Sequence, residues 1–489
     1  MTMKKTLCIL FSTALVFTAC SPKADDQATV FKKINEEVLA NSKAYETLGE
    51  AISTIGHRLT GSENGAQAEQ YTYDLLKGYG MTDVQFQPFE VESWSRGDID
   101  VQIGAKGKLE TVPAVTLAHS PVSADVTAEI VDMGNGVDAD YEARPDAVMG
   151  KIALVYIGTL PDSPKGTPGL HRSEKTALAT KYGAIGIIII NQVDGGVLLT
   201  GTASVTGSLI PIPAVCIGKE DGMALKETLA AKSQFASIKM TNQSGLIKAR
   251  NVIATIKGSE FPDEKIIVGG HLDSWDLSTG AIDNGIGSFA VLDMARTFQA
   301  LNLKPKRTVQ FVMFMGEEEG LLGSRYMVDE AIKNGTIDQI KYVMNQDMSG
   351  NPAGFGTGGR PEAEAFFKAV GKEIMAIDST TYTNAVSNGA GLHSDHQPFM
   401  LQGIPYTAPS SRLDRAIYGC YHADCDSFDL VNKEHMVNNV RFSSMMLYAL
   451  ANAETLPAKK LNDAETKAFL EGHDLKLKLQ IGGDWRWDN

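Results

Sequence analysis

The chain has 489 residues, 43% of them apolar and 21% charged, with a formal net charge of −14 at neutral pH. That length exceeds one compact domain and supports a large buried core, and the composition is that of a globular protein. The negative balance speaks against nucleic acid and anionic membrane surfaces as partners.

Lys4 and Lys5 precede an apolar run from Leu7 to Phe17, followed by Thr18, Ala19 and Cys20. A basic start, a short apolar stretch and small residues form a secretory signal. About eleven mostly apolar residues are too few for a bilayer that needs about 20. The cysteine after the small residues resembles a bacterial lipobox, although Phe17 departs from the branched aliphatic residue of that motif. Residues 1–19 are therefore expected to leave as signal, with Cys20 lipidated and 20–28 serving as a tether; plain secretory cleavage is the alternative. The lipid on Cys20 is then the sole membrane contact, and the location is the bacterial periplasm or cell envelope.

Residues 29–114 read as the first part of a catalytic domain, with a helical pattern over Ala66 to Gly78 and the alternating strand VQFQPFEV. From 115 to 245 the texture changes to short β-branched strands with Gly and Pro turns. There GKIALVYIG, KYGAIGIIIINQ and IPIPAVCIG resemble a protease-associated domain, which implies an insertion that shapes access to a cleft. From 246 to 456 strands alternate with helices, the pattern of a mostly parallel, helix-covered α/β sheet. NVIATIKG, KIIVGG, TVQFVMFM, YVMNQD and IPYTAP read as strands, and Gly287 to Ala300, Leu321 to Lys333 and His435 to Ala451 as helices. Residues 457–489 read as a C-terminal tail.

Five metal-binding side chains stand in this second half: His271 in GGHLDSWD, Asp283 in GAIDNGIG, Glu318 in FMGEEEG, Asp347 in NQDMSG and His422 in GCYHADCDS. Four follow predicted strands or exit turns, where open α/β sheets keep their sites. Two imidazoles and three carboxylates offer nitrogen and oxygen donors suited to a pair of zinc ions. Such a pair polarises a carbonyl and supplies hydroxide at neutral pH, which points to a hydrolase. Asp273 is placed to accept the remaining ring proton of His271 and so fix its tautomer. His393 and His396 in LHSDHQPF are rival ligands by type, and Asp395 between them suits an internal hydrogen bond.

Five cysteines occur in the chain. Cys8 leaves with the signal, and Cys216 in PIPAVCIG reads as a buried thiol. Cys420 and Cys425 bracket His422. In an oxidising compartment they are expected to form a disulfide, with free thiols or metal thiolates as the alternatives.

These motifs together resemble the di-zinc aminopeptidase and carboxypeptidase family that includes bacterial leucyl aminopeptidases and glutamate carboxypeptidases. GGHLDSWD, GAIDNGIG and the earlier ESWSRG are most similar to its plasma glutamate carboxypeptidase branch, and the likeness runs from about Phe31 to Ala451. The resemblance implies a zinc-peptidase (phosphorylase/hydrolase-like) fold holding two Zn2+ ions. It makes Asp283 the bridging ligand, with Glu318 and His422 at one ion and His271 and Asp347 at the other. It makes Glu317 the general base and acid, and leaves Glu319 facing solvent; Glu318 as base with Glu319 as ligand is the alternative register. His393 and His396 fall in a segment near the substrate pocket. Tyr421 matches a position where some relatives carry an oxyanion-stabilising hydroxyl. The peptide after Asp283 is expected to be cis, with Asn284 where the branch carries Asp.

The function implied is hydrolysis of dipeptides or of N-terminal residues of short peptides through a metal-bridged hydroxide. The expected partner is therefore a small peptide, with a homodimer as a further expectation. A glutaminyl-cyclase-like acyl transferase with a single zinc is the alternative. The intact ligand set and Glu317 speak against a receptor-like descendant.

Overall fold

The computed structural model describes residues 26–488. The expected signal and the lipidated Cys20 lie outside the described residues. Three runs rich in apolar and β-branched residues form the parallel centre of the sheet. Phe261–His271 lies between Arg307–Phe314 and Ile340–Asn345, and Tyr406–Thr407 extends the edge in parallel. Phe235–Ile256 pairs antiparallel with the other side of Arg307–Phe314. Alternation along Phe261–His271 shows why both faces need cover. Ile266 and Val268 join a cluster with Phe31, Leu48, Phe289 and Phe442, while Ile267 joins Met327, Phe399 and Leu470 on the opposite face. Helices on both sides of a parallel sheet are the expected consequence.

Helices Glu63–Gly78, Ile286–Ala300, Leu322–Lys333 and Lys433–Asn452 fall within a few residues of their predicted bounds. Ser62 and Asn432 cap two of them by accepting the amides of Gly65 and His435, which satisfies amides that lack a partner within the helix.

Strand Asp83–Ala105 pairs along nearly its whole length with Phe235–Ile256, forming a ribbon that leaves the catalytic sheet. Its far half carries Val101, Ala236 and Ile238 into a core shared with Ile152, Ile188 and Val215. There Ser123–Asp132, Ile152–Tyr156, Gly186–Ile190 and Ala214–Ile217 run parallel in sequence order, and Ala114–Thr116 closes the edge antiparallel.

Two features depart from the sequence reading. The β-rich segment also holds helices Arg172–Lys181 and Lys219–Leu229. The first buries Arg172, Glu174 and Lys175 along with Leu178, so it shows no apolar stripe to read. The expected tail forms helices Asp463–Gly472 and Lys476–Gly482, which pack Leu470 and Leu479 against Phe399. Among the described residues no helix is long and apolar enough to cross a membrane.

Candidate active site

The carboxyl ends of the parallel strands converge on one acidic cluster. His271 is the last residue of its strand, Glu317 and Glu318 follow Arg307–Phe314, and Asp347 follows Ile340–Asn345. Asp283 sits in the turn Ala281–Gly285 that feeds the helix Ile286–Ala300, and the Asp283–Asn284 peptide is cis. His422 arrives from a distant loop with a left-handed φ of 56°.

The two oxygens of Asp283 face different imidazoles. Oδ1 lies 3.2 Å from Nε2 of His271, and Oδ2 lies 3.1 Å from Nε2 of His422. Glu318 Oε2 is 3.0 Å from His422 Nε2, and Asp347 Oδ1 is 3.6 Å from His271 Nε2. Glu317 Oε2 stands 4.0 Å from His271 Nε2. Donor atoms of His271, Glu317 and Asp347, and of His271, Asp283 and Glu318, gather within 4.8 Å in each group. A tetrahedral zinc with bonds of about 2.0–2.1 Å places its donors about 3.3 Å apart. The donor set therefore fits zinc, and the buried Glu318 Oε1, which has no hydrogen-bond partner, marks unused coordinating capacity.

Both imidazoles are turned to offer Nε2. Nδ1 of His271 meets the backbone carbonyl of Asp273 at 3.1 Å, and Nδ1 of His422 meets that of Thr200 at 3.3 Å. Each carbonyl accepts the Nδ1 proton and so fixes the tautomer. The expectation for Asp273 is thereby corrected: its carbonyl takes the ring proton, while its carboxylate Oδ1 stays 3.6 Å from the ring. That carboxylate instead accepts the amides of Glu317 and Glu318, at 3.3 and 3.2 Å. The short His-Leu-Asp turn brings the carbonyl nearer than the side chain.

Other carboxylates play comparable supporting parts. Asp426 accepts the amides of Ile282 and Asp283 at 2.8 and 3.0 Å, fixing the turn that aims Asp283. Ser394 donates to Asp347 Oδ2 at 2.6 Å. Asn284 donates to the Gln346 carbonyl and accepts the Met348 amide, tying the Asp283 turn to the Asp347 loop. Cys420 and Cys425 are disulfide-bonded, with Cα atoms 5.2 Å apart, and Cys216 is a buried free thiol.

Glu319 does not face solvent. It is fully buried, and neither carboxylate oxygen has a hydrogen-bond partner. Burial first, then Asp273 and Glu318, hold its carboxyl well above the ordinary range. Gly207 of the inserted segment lies close to its backbone carbonyl, an approach of distant segments that local sequence does not reveal.

Sequence reasoning also missed Arg58. It is fully buried and donates to the carbonyls of Leu272, Thr279 and Gly280 at 2.5, 2.7 and 2.8 Å, clamping the segment between His271 and Asp283. A lone Arg in GHRLTGS carries no signal of this role.

The electrostatics of the cluster call for positive charge. Burial opposes protonation of His271, yet Glu317, Asp273, Asp283 and Asp347 raise it well above its ordinary value. Glu317 is itself raised well above a carboxylate's usual value, by burial and by Asp347 and Glu318, although His271 pulls the other way. A cavity of about 260 Å³ opens over the cluster, lined also by Arg172, His393, Tyr418, Tyr421 and Lys478. Tyr421 stacks on His422 with ring centroids 3.8 Å apart. His393 stacks on His171 at 4.7 Å, and His396 is buried against Tyr406, so neither joins the cluster.

Buried carboxylates and imidazoles at the strand ends of a doubly covered α/β sheet define a metal-dependent hydrolase. The model of peptidase family M28 matches residues 251–447, and a PA domain model matches 124–225. Carboxypeptidase Q of Xenopus laevis is 29% identical over 428 residues, covering 85% of this chain and 87% of that protein. Among solved structures, an aminopeptidase from Aneurinibacillus sp. strain AM-1 matches with a TM-score of 0.65 and 27% identity, over 88% of this chain and 97% of that one. A peptidase M28 precursor from Shewanella amazonensis shares the fold with a TM-score of 0.74 at 24% identity, over 89% and 99% of the two chains.

Proposed function

We propose that this protein is a di-zinc exopeptidase that cleaves dipeptides or removes N-terminal residues from short peptides. The carrying observation is Asp283, with one oxygen on each imidazole. Only a carboxylate can serve two cations in this way. In this reading Asp283 bridges the ions, Glu318 and His422 complete one site, and His271 and Asp347 complete the other. When bound, zinc supplies a Lewis acid and an acidified water at neutral pH.

The chain's own residues do the remaining work. Glu317 takes the proton of the attacking water and returns it to the leaving amine. Its Oε2 stands 4.0 Å from His271 Nε2, beside the cluster rather than at its centre, as a proton carrier requires. The amides of Glu317 and Glu318 are tied to one carboxylate, so base and ligand keep a fixed relation. The acidic cluster favours the α-ammonium of an unblocked peptide. Relatives named as a carboxypeptidase and an aminopeptidase support the exopeptidase class. Export and a lipid on Cys20 complete the proposal and would hold the enzyme in the cell envelope.

Incubation of zinc-loaded protein with unblocked and N-acetylated peptides, read by mass spectrometry, tests this. Release of free amino acids from the unblocked set alone is expected. Intact peptides throughout, or cyclised glutaminyl peptides without hydrolysis, would overturn the reading.

A further inference from the structure

The segment ESWSRG lies on the ribbon strand Asp83–Ala105. Pairing with Phe235–Ile256 is regular up to Arg96, opposite Asn242, and resumes at Ile99, opposite Met240. Two residues of one strand thus face one of the other, a bulge of the kind that re-aims a neighbouring side chain. Gly97 permits it, since a Cβ there would lie 2.0 Å from the Thr241 carbonyl oxygen.

The side chain so aimed, Arg96, is only 13% exposed and meets three separate segments. Its Nε and Nη2 donate to the two carboxylate oxygens of Asp276 at 3.1 and 2.8 Å, in the loop that follows His271. Nη2 also donates to the Thr200 hydroxyl at 2.7 Å, and Nη1 donates to the Thr116 carbonyl. The Thr200 hydroxyl in turn donates to that same carbonyl at 3.4 Å. The ion pairs Lys151–Glu129 and Lys226–Asp132 join the inserted segment to itself, whereas Arg96–Asp276 joins the ribbon to the catalytic loop. A largely buried ion pair adds little net stability once both charges leave water, but its two-pronged geometry is demanding.

Thr200 is fully buried and holds His422 at two points. Its amide donates to the His422 carbonyl at 2.9 Å, and its own carbonyl accepts from His422 Nδ1 at 3.3 Å. His422 needs such support, because its φ of 56° is a conformation that a residue with a side chain keeps only where neighbours enforce it. A continuous path therefore runs from Asp276 through the Arg96 guanidinium and Thr200 to the imidazole whose Nε2 faces Asp283 and Glu318.

We propose that Arg96 is a positioning residue for the metal site of His422, acting through Thr200, so that the inserted segment is a working part of that site. The proposal rests on the two-ion reading above and adds what fixes one of its ligands. Asp276 sets the guanidinium, the guanidinium sets the Thr200 side chain, and the Thr200 backbone sets the plane and tautomer of the ring. The other imidazole, His271, takes its orientation from Asp273 within its own loop, so Arg96 bears on one site only.

Zinc competition against a chromophoric chelator reads the two affinities without turnover. Arg96→Met should weaken one ion by about 10- to 100-fold, as loss of a group that orients a ligand commonly does. Thr200→Val keeps the Arg96–Asp276 pair and removes only the hydroxyl, so it should weaken the same ion, and Thr200→Ser should restore it. The double variant should match Arg96→Met alone, since both changes break one path. In a Glu318→Gln background, which lacks that ion, Arg96→Met should leave the remaining ion unmoved. Equal weakening of both ions, no weakening of either, or additive losses in the double variant would overturn the proposal. One ion per chain in the wild type, lost on Arg96→Met, would retain the positioning role and overturn the two-ion reading instead.

Discussion

Glu317, Glu318 and Glu319 are neighbours in sequence with three separate environments. Glu318 meets His422, Glu317 stands farther from the imidazoles, and Glu319 is buried away from both. Glu317→Gln should keep both metals and lose about 100-fold or more in kcat, since it removes a proton carrier and no ligand. Glu318→Gln should lose metal from one site, and elemental analysis beside kcat separates the two cases. Turnover abolished by Glu319→Gln with metals retained would show that the register within the run is wrong. Asp426→Asn replaces one of the two oxygens that hold the Asp283 turn. It should weaken metal affinity by about 10- to 100-fold, as loss of outer support commonly does. The five side chains that the fold gathers, His271, Asp283, Glu318, Asp347 and His422, were legible because their types suit metal binding. The burial of Glu319 was not, because it depends on the assembled fold rather than on the local run of acids.

The elements explain why single turns can hold such a cluster. The segment from His271 to Asp283 has little regular structure, and Arg58 fixes it through three carbonyls. Arg58→Met should destabilise the protein by about 3–5 kcal/mol, because buried acceptors lose a charged donor. Chemical denaturation measures this, and a change below 1 kcal/mol would show that the clamp is dispensable. The loop of His422 is closed by the Cys420–Cys425 bridge. In the intact folded protein neither thiol should label until a reductant is added, and labelling without one would refute the bridge. Parallel strands and amphipathic helices were readable from apolar runs and periodicity. The helix Arg172–Lys181 was not, because it buries Arg172, Glu174 and Lys175 and so shows no apolar stripe.

Across the whole molecule, three separated stretches build one cavity. The catalytic sheet provides the donors, the inserted segment provides Arg172 and the Thr200 carbonyl that orients His422, and the C-terminal helices provide Lys478. Composition and motifs pointed to an insertion over a cleft, yet the part played by residues 457–489 depends on contacts that only the assembled fold reveals. Asp484 anchors that end through Arg325 and Gln397. Asp484→Ala should therefore raise KM while leaving metal content unchanged, and loss of zinc in this variant would place the anchor within the metal site. The most direct test is to strip the protein with a chelator and titrate zinc back, recording bound metal and leucyl-leucine hydrolysis at each step. Two ions per chain should bind, with hydrolysis absent in the stripped protein and fully restored only as the second site fills. Full activity with one ion per chain, or hydrolysis that survives complete removal of metal, would contradict a di-zinc exopeptidase.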